Sequence, residues 1–271
     1  MSQKLSVPAT TFLSHVDSAM AWLEWIATSI RSDEFVRGRI DWNGLSQPQR
    51  TIVQKKLDLP VPEQRLMLNA LYITVVAAFE EYLRQLVARL ADEFTKRQLK
   101  WDGASEKLMR LNVRESARLL RKMDSPPDYL VVDFWDVCRQ LGTCHPSSTA
   151  VALNSVALTD VESLIKLENF MERAEAFGTT LTFDVLAKND DICAALGLKR
   201  NATRENAKEV RETAQEIARL RNRIAHTGVN ASDVTEDVLQ RHIGFLKGLV
   251  SSFDADVQTA IVKIQKQKKA S

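Results

Sequence analysis

The chain has 271 residues, of which 45% are hydrophobic and 27% are charged. This balance is typical of a soluble globular protein of one or two domains, and it excludes a disordered chain, a collagen-like fibre and a small disulfide scaffold. The 37 Lys and Arg residues nearly cancel the 35 Asp and Glu residues, so the net charge of +2 does not by itself predict nucleic-acid binding. Glycine (9) and proline (7) are too scarce for the many tight turns of an all-β fold, and the composition therefore favours helices.

The N-terminal third of the chain shows helical periodicity. Apolar residues recur every three or four positions over residues 10–30, which predicts a first helix. The sequence Ser46-Gln47-Pro48-Gln49 has capping-box spacing and predicts the start of a short helix that ends near residue 58. The longest helix is expected over residues 62–97, and its broad apolar stripe is typical of a helix buried in a bundle.

The middle of the chain predicts several shorter helices. Residues 105–122 form an amphipathic and notably basic segment. Further helices are expected over residues 128–141, 160–177 and 182–197, and an irregular segment over residues 142–148.

The C-terminal part predicts two long helices. The first covers residues 203–226 and stops at Gly228, and the second follows the capping sequence Asp233-Val234-Thr235-Glu236 and extends to about residue 262. No segment alternates like a strand and no internal repeat is visible. The sequence therefore predicts an all-α bundle with a helical insertion between the long helix and the C-terminal helix pair.

The cysteines and the chain ends indicate a cytoplasmic protein. Cys138, Cys144 and Cys193 are odd in number and irregularly spaced, which fits reduced thiols better than a disulfide framework. The first residues have no signal-peptide core, and the apolar run 71–79 is too short to span a bilayer. The lysines of the C-terminal tail, residues 263–271, are expected to be solvated.

One segment concentrates groups that could carry chemistry. Arg219, Arg221, Asn222, Arg223 and His226 lie within eight residues at the end of a predicted helix. Asn222 and His226 are four residues apart and so share a helix face, and the long Arg221 side chain can reach over the helix end towards the imidazole. The alternative interpretation is a positively charged helix C-terminus, where Arg and His interact favourably with the helix dipole.

The other candidate ligands point to structure rather than to a site. Cys138, Cys144 and His145 lack both a common zinc spacing and a fourth ligand, so no metal is predicted. His15 and His242 lie on or beside apolar helix faces and are expected to be partly buried structural histidines.

The sequence Arg221-Asn222-x-x-x-His226, followed by Thr227-Gly228 and a long amphipathic helix, resembles the Arg-x4-His signature of the HEPN superfamily. The segment Ala78-Phe79-Glu80-Glu81-Tyr82-Leu83 is similar to the acidic segment on the second core helix of such proteins. The resemblance covers residues 62–99 and 203–262 and is nearest to the RiboL-PSP-HEPN and MAE-type branches. It implies N-terminal helices over residues 1–61, a HEPN-like bundle over residues 62–262 and an unmatched insertion at about residues 100–202.

The resemblance implies a metal-independent endoribonuclease that needs no cofactor and cleaves RNA by attack of the 2′-hydroxyl. His226 would act as base or acid, because histidine changes charge near neutral pH. Arg221 would stabilise the phosphorane with its planar fork, and Asn222 would orient the imidazole or contact the phosphate. Arg219 and Arg223 would bind flanking phosphates or remain solvated. Glu80 lies beside a buried stripe and needs a cationic partner, for which Arg221 is the candidate; the alternative is a partly exposed surface glutamate.

The resemblance also implies partners. A single motif offers one imidazole to a reaction that moves two protons, so a homodimer with two motifs across one cleft is expected. The expected role is a cytoplasmic bacterial toxin or antiviral-defence effector that acts on RNA, with a cognate antitoxin or regulatory protein and no membrane. The basic helix 105–122 is expected to take part in target selection. The alternatives are a non-catalytic HEPN adaptor or RNA-binding scaffold, and a plain helical interaction protein.

Overall fold

The computed structural model describes residues 5–39, 44–57, 64–97, 106–123, 132–145, 148, 151–160, 164–199, 203–227 and 234–267. The protein is all-α, as the sequence predicts, and no strand occurs in these ranges. The helices are α1 (Val7–Arg39), α2 (Gln47–Leu57), α3 (Gln64–Lys96), α4 (Glu106–Lys122), α5 (Phe134–Gly142), α6 (Ser155–Thr159), α7 (Leu167–Ala176), α8 (Phe183–Leu186), α9 (Asp190–Leu196), α10 (Thr203–Thr227) and α11 (Glu236–Lys266).

Side-chain caps explain where the shorter helices begin. The predicted helix over residues 182–197 is two helices, because the Asn189 side chain accepts hydrogen bonds from the backbone of Asp191 and Ile192 and starts a new helix there. Asn154 likewise caps α6, a helix that the periodicity did not predict. The long C-terminal helix begins as predicted, with the Thr235 side chain accepting from the amide of Val238. The predicted stop at Gly228, the cap residue Asp233 and the tail lysines Lys268 and Lys269 lie outside the described residues.

Helix α3 is the centre of the fold. It packs against α1, α6, α7, α10 and α11, and its aromatic residues meet those of α1 and α11. The Phe79 ring lies 5.6 Å from the Phe12 ring and 6.5 Å from the Phe253 ring, and the Tyr82 hydroxyl donates to the carbonyl of Val250 at 3.1 Å. Truncation of a single buried phenylalanine typically costs about 3–5 kcal/mol, so this cluster is a main source of stability.

The length and apolarity of α3 exceed what the run 71–79 suggested. By length and composition alone, residues 65–96 could cross a membrane, and half of their most apolar window is buried inside the protein. A core helix passes the same test. The five helices packed around α3 provide apolar partners for this surface within the chain.

The segment that the sequence treats as an insertion shares the hydrophobic core with the long helices. Helices α6 and α7 pack on α3, α8 packs on α10, and α9 packs on α11. The contact of α9 with α11 is close, since a Cβ atom added at Gly248 would lie 2.8 Å from the Ile192 Cγ1 atom and 3.0 Å from the Ile192 backbone nitrogen. The N-terminal helix α1 joins the same core through α3 and α11.

The close approach at Gly248 predicts that Gly248→Ala lowers the free energy of unfolding by about 1–3 kcal/mol, because the new methyl overpacks against backbone as well as side chain. The control is Gly142→Ala near the end of α5, where an added Cβ meets nothing within 4 Å and a neutral or slightly stabilising effect is expected. Urea unfolding of both variants measures the difference. Equal stability of the two variants would contradict the tight α9–α11 contact.

Candidate active site at the end of helix α10

The Arg-x4-His motif occupies the last two turns of α10. Apolar residues on the inner face of this helix, among them Ile217, Leu220 and Ile224, are buried. Because the motif residues lie between these positions, Arg221 and Asn222 are half-buried, while His226 is exposed. The packing of α10 on α3 therefore presents the motif at the protein surface, beside the acidic segment of α3.

A chain of three side chains joins α3 to α10. The Nη2 atom of Arg221 lies 3.3 Å from Oε2 of Glu80, and its Nη1 donates to Oδ1 of Asn222 at 3.1 Å. Glu80 is only 3% exposed, so the alternative of a surface glutamate is wrong, and the expectation of Arg221 as its cationic partner is confirmed. The neighbouring Glu81 is exposed and accepts hydrogen bonds from Arg84 and Gln85 of its own helix.

The Glu80–Arg221–Asn222 chain fixes the orientation of the Arg221 guanidinium. A buried carboxylate is costly unless it is paired, so Glu80 holds the guanidinium strongly on one side. The Asn222 amide holds it on a second side. A guanidinium has five N–H donors, and these two contacts leave three of them for other acceptors. The Arg221 side chain is 32% exposed, so it is accessible to an anionic ligand while the buried Glu80 holds it in place.

His226 lies one turn after Asn222 on the same helix face. Within the described part of the chain its exposed imidazole forms no hydrogen bond or ion pair, so the structure does not bring it into contact with Arg221 or Asn222. The Asn222 carbonyl oxygen accepts from Arg221 rather than orienting the imidazole, which leaves the Asn222 amide nitrogen as a donor. Arg219 and Arg223 are both exposed, and the Arg219 Nε donates to the carbonyl of Gln215 at 3.2 Å.

The basic helix α4 is largely neutralised by carboxylates of its own chain. Its cations form ion pairs with several carboxylates, among them Lys107 with Glu175, Arg110 with Glu106, Arg114 with Glu115 and Glu172, and Lys122 with Asp160. The pairs to Glu172, Glu175 and Asp160 join α4 to α7 and to the end of α6. The sequence pattern alone suggested a surface for selecting RNA, and these pairings favour a structural role instead.

Two of the other three histidines, His15 and His242, differ in burial. His15 is exposed, which corrects the expectation of partial burial, because α1 turns positions 12, 16 and 19 inward and leaves position 15 at the edge of this face, about 60° from position 12 and about 100° from position 16. His242 is 1% exposed and its Nδ1 lies 2.9 Å from the Tyr72 hydroxyl. Its Nε2 lies 3.7 Å from Oε2 of Glu216, which is too long for a hydrogen bond.

The three cysteines are free thiols, and Cys144 takes part in a buried hydrogen-bond network. Cys144 Sγ accepts a hydrogen bond from the fully buried Asn112 at 3.0 Å, and Asn112 in turn accepts from the backbone amide of Asn154 at 2.9 Å. Asn112 thereby joins α4 to the segments that follow α5 and precede α6. In the described ranges no group of three or more His, Cys, Asp and Glu side chains has a geometry that could hold a metal ion.

No protein-family model, no curated protein and no solved structure matches this chain. The relationship to the HEPN superfamily is therefore a proposal that rests on the motif and on the helices around it.

The buried ion pair predicts that replacing Arg221 lowers the free energy of unfolding much more than replacing an arginine of an exposed ion pair. Arg221→Met should lower the free energy of unfolding by about 2 kcal/mol, because it leaves the Glu80 carboxylate buried without a cation. Arg84→Met is the matched control, since Arg84 lies at the same distance of 3.3 Å from Glu81 but both side chains are exposed. A change within about 0.5 kcal/mol is expected there. Chemical denaturation measures both, and equal losses would contradict a special role for the buried pair.

The buried imidazole predicts a pH dependence of stability. Burial lowers the pKa of His242, as does Arg241, and the Glu216 carboxylate offsets part of this effect. The unfolded chain takes up a proton near pH 6.5, whereas the folded chain does so only at lower pH. The stability that neutral His242 contributes is therefore complete above about pH 6.5 and is lost as the pH falls through the lowered value.

His242→Gln should remove this component, flattening the decrease in unfolding free energy between pH 7 and 5 by at most about 1.4 kcal/mol per pH unit. Urea unfolding over a pH series compares the variant with the wild type. The expectation fails if both proteins lose stability at the same rate.

Proposed function

We propose that this protein is a metal-independent endoribonuclease of HEPN type that cleaves RNA by attack of the neighbouring 2′-hydroxyl. The observation that carries the proposal is the Glu80–Arg221–Asn222 chain, which fixes one guanidinium on the last two turns of α10, where the exposed His226 also lies. A charged cluster that served only the helix dipole would need no buried carboxylate on a second helix.

The chemistry of the cleavage assigns a role to each group. Charge develops on the phosphoryl oxygens in the transition state, and a preoriented arginine stabilises it without reorganising. The remaining N–H donors of Arg221 and the amide nitrogen of Asn222 would donate hydrogen bonds to these phosphoryl oxygens. His226 takes the proton of the 2′-hydroxyl or gives one to the departing 5′-oxygen. Glu80 is a positioning residue, because it acts through Arg221 and is itself buried.

The proton count supports a homodimer. One motif supplies one imidazole, while the reaction needs a base and an acid, and a two-fold axis near α10 would supply the second His226. The proposal of a dimer rests on this chemistry alone. In the described residues α8 and α9 cover apolar surface of α10 and α11, and Val262 is the one large hydrophobic side chain exposed on these two long helices.

The biological role that fits such an activity is a toxin or an antiviral-defence effector in the cytoplasm, controlled by a cognate antitoxin or regulatory protein. The helical context supports the HEPN assignment, because α3 carries the acidic residue and packs against both C-terminal helices. A specific observation favours a second candidate, a non-catalytic HEPN adaptor or RNA-binding scaffold. Two of the Arg221 donors are already occupied within the protein, and the described residues show no contact between Arg221 and His226.

Cleavage of RNA by the purified protein tests the proposal. Incubation with RNA in EDTA should give products that end in a 2′,3′-cyclic phosphate and a 5′-hydroxyl, as mass spectrometry of the fragments would detect. His226→Ala should lower the rate by about 10²–10⁴-fold. Arg221→Lys should lower it by about 10²–10³-fold, because the charge is kept but the planar fork is lost.

The controls are His15→Ala and Arg139→Lys, which change an exposed histidine and an exposed arginine on other helices and should leave the rate unchanged. If a folded His226→Ala protein cleaves like the wild type, His226 is not the proton-transfer group. A protein that binds RNA but never cuts it would favour the scaffold. Mixing wild-type with His226→Ala chains tests the dimer, since activity that falls only in proportion to dilution would show that one motif suffices.

A further inference from the structure

A groove runs along α10 directly beside the motif. It encloses about 440 Å³ between one face of α10 and the start of α7, and Asn222 lines it. This volume lies in the range of small-molecule binding sites. Because the amide of Asn222 also contacts Arg221, the groove begins where the Glu80–Arg221–Asn222 chain ends.

The floor of the groove is made of small residues. Ala214 and Ala218 are buried and line it, and the exposed Gln215 and Arg219 stand beside them on the same helix face. From Gln215 to Asn222 the helix rises by about 10 Å at 1.5 Å per residue. A flat ring can lie on such a floor with polar side chains at its edges.

The rim of the groove carries cations with free donors. The exposed Lys166 side chain lines the opposite side and forms no ion pair or hydrogen bond within the described part of the chain. Arg219 bonds to the backbone through Nε, and in the same part of the chain its terminal nitrogens are unpaired. Lys166 also precedes α7 without capping it, so the positive end of the α7 dipole adds to the potential. The groove holds one carboxylate, Glu168, whose Oε1 lies 3.5 Å from Gln215 Nε2.

We infer that this groove binds one nucleotide of single-stranded RNA next to the bond that is cut. Its phosphate lies between Lys166 and Arg219, and its base lies on Ala214 and Ala218 with the side-chain amide of Gln215 at the base edge. Single-stranded RNA fits because its unstacked bases can be splayed into a pocket and bonded at their edges. The placement of this nucleotide next to the cleaved bond rests on the proposed function, but nucleotide binding itself can be measured without cleavage.

The test measures binding of a fluorescein-labelled 12-nucleotide RNA pool of random sequence with 2′-O-methyl riboses, which lack the attacking hydroxyl and stay intact. Fluorescence anisotropy is recorded at several salt concentrations. Lys166→Ala and Arg219→Ala should each weaken binding and reduce the slope of log affinity against log salt by about 0.7, the loss of one phosphate contact on a single strand. The matched controls are Lys188→Ala and Arg204→Ala, exposed cations away from the groove that should change neither quantity.

A second pair of variants separates the groove from general electrostatic attraction. Ala218→Leu fills the floor without changing any charge, and a tenfold or greater loss of affinity with an unchanged salt slope is expected. Thermal unfolding checks that the variant folds. If it does not, Gln215→Met replaces an exposed side chain without changing any charge, removes the amide at the base edge, and should also weaken binding with an unchanged salt slope.

The outcomes distinguish the two proposals. Weaker binding in the groove variants together with an inactive wild-type protein would support the groove and contradict the ribonuclease. Cleavage by the wild type with undiminished binding by folded Lys166→Ala, Arg219→Ala and filled-floor variants would overturn the groove and leave the ribonuclease standing. Equal losses in the groove variants and the control variants would also overturn it, because they would indicate binding by diffuse charge.

Discussion

The buried carboxylate of Glu80 constrains how α10 lies on α3. A carboxylate at 3% exposure needs a cation nearby, and Arg221 is the residue of α10 that reaches it. A shift of α10 by one residue would rotate its side chains by about 100° and leave Glu80 unpaired, while also turning Ile217 and Ile224 away from the core. The same register places Asn222 against the guanidinium and leaves His226 in solvent. The geometry of the proposed site is thus a consequence of one electrostatic requirement in the core.

Much of the helical framework could be predicted because its signals are local. Periodic apolar residues indicated α3, α10 and α11, and Thr235 begins the last helix as its capping sequence suggested. The pairing of Glu80 with Arg221 was also accessible, since a glutamate beside a buried stripe requires a cation and the motif offered one. The split at Asn189 was missed because periodicity continues through it, although an asparagine before two aspartates is itself a capping signal.

Features that depend on distant segments could not be inferred in this way. The cations of α4 look like a nucleic-acid surface in the sequence, but their carboxylate partners include Glu172, which lies 58 residues from Arg114. The groove beside α10 was missed for the same reason, since Lys166 and Arg219 meet only after α7 has packed into the core. The cations that can contact a ligand therefore lie beside α10 rather than on the basic helix α4. In the proposed site it is a small number of residues with free donors, rather than net charge, that would attract RNA.

The separation of Glu80 and Arg221 along the chain has a consequence for biosynthesis. The two residues are 141 positions apart, so a ribosome that adds about 5–20 residues per second needs about 7 to 30 s to make the second after the first. During that interval α3 has emerged without the helix that completes the site. A chain that stops anywhere before α10 lacks the arginine, the asparagine and the histidine together. Translation would therefore yield a complete site only after α10 has been made, which suits the proposed ribonuclease because RNA is present throughout its synthesis.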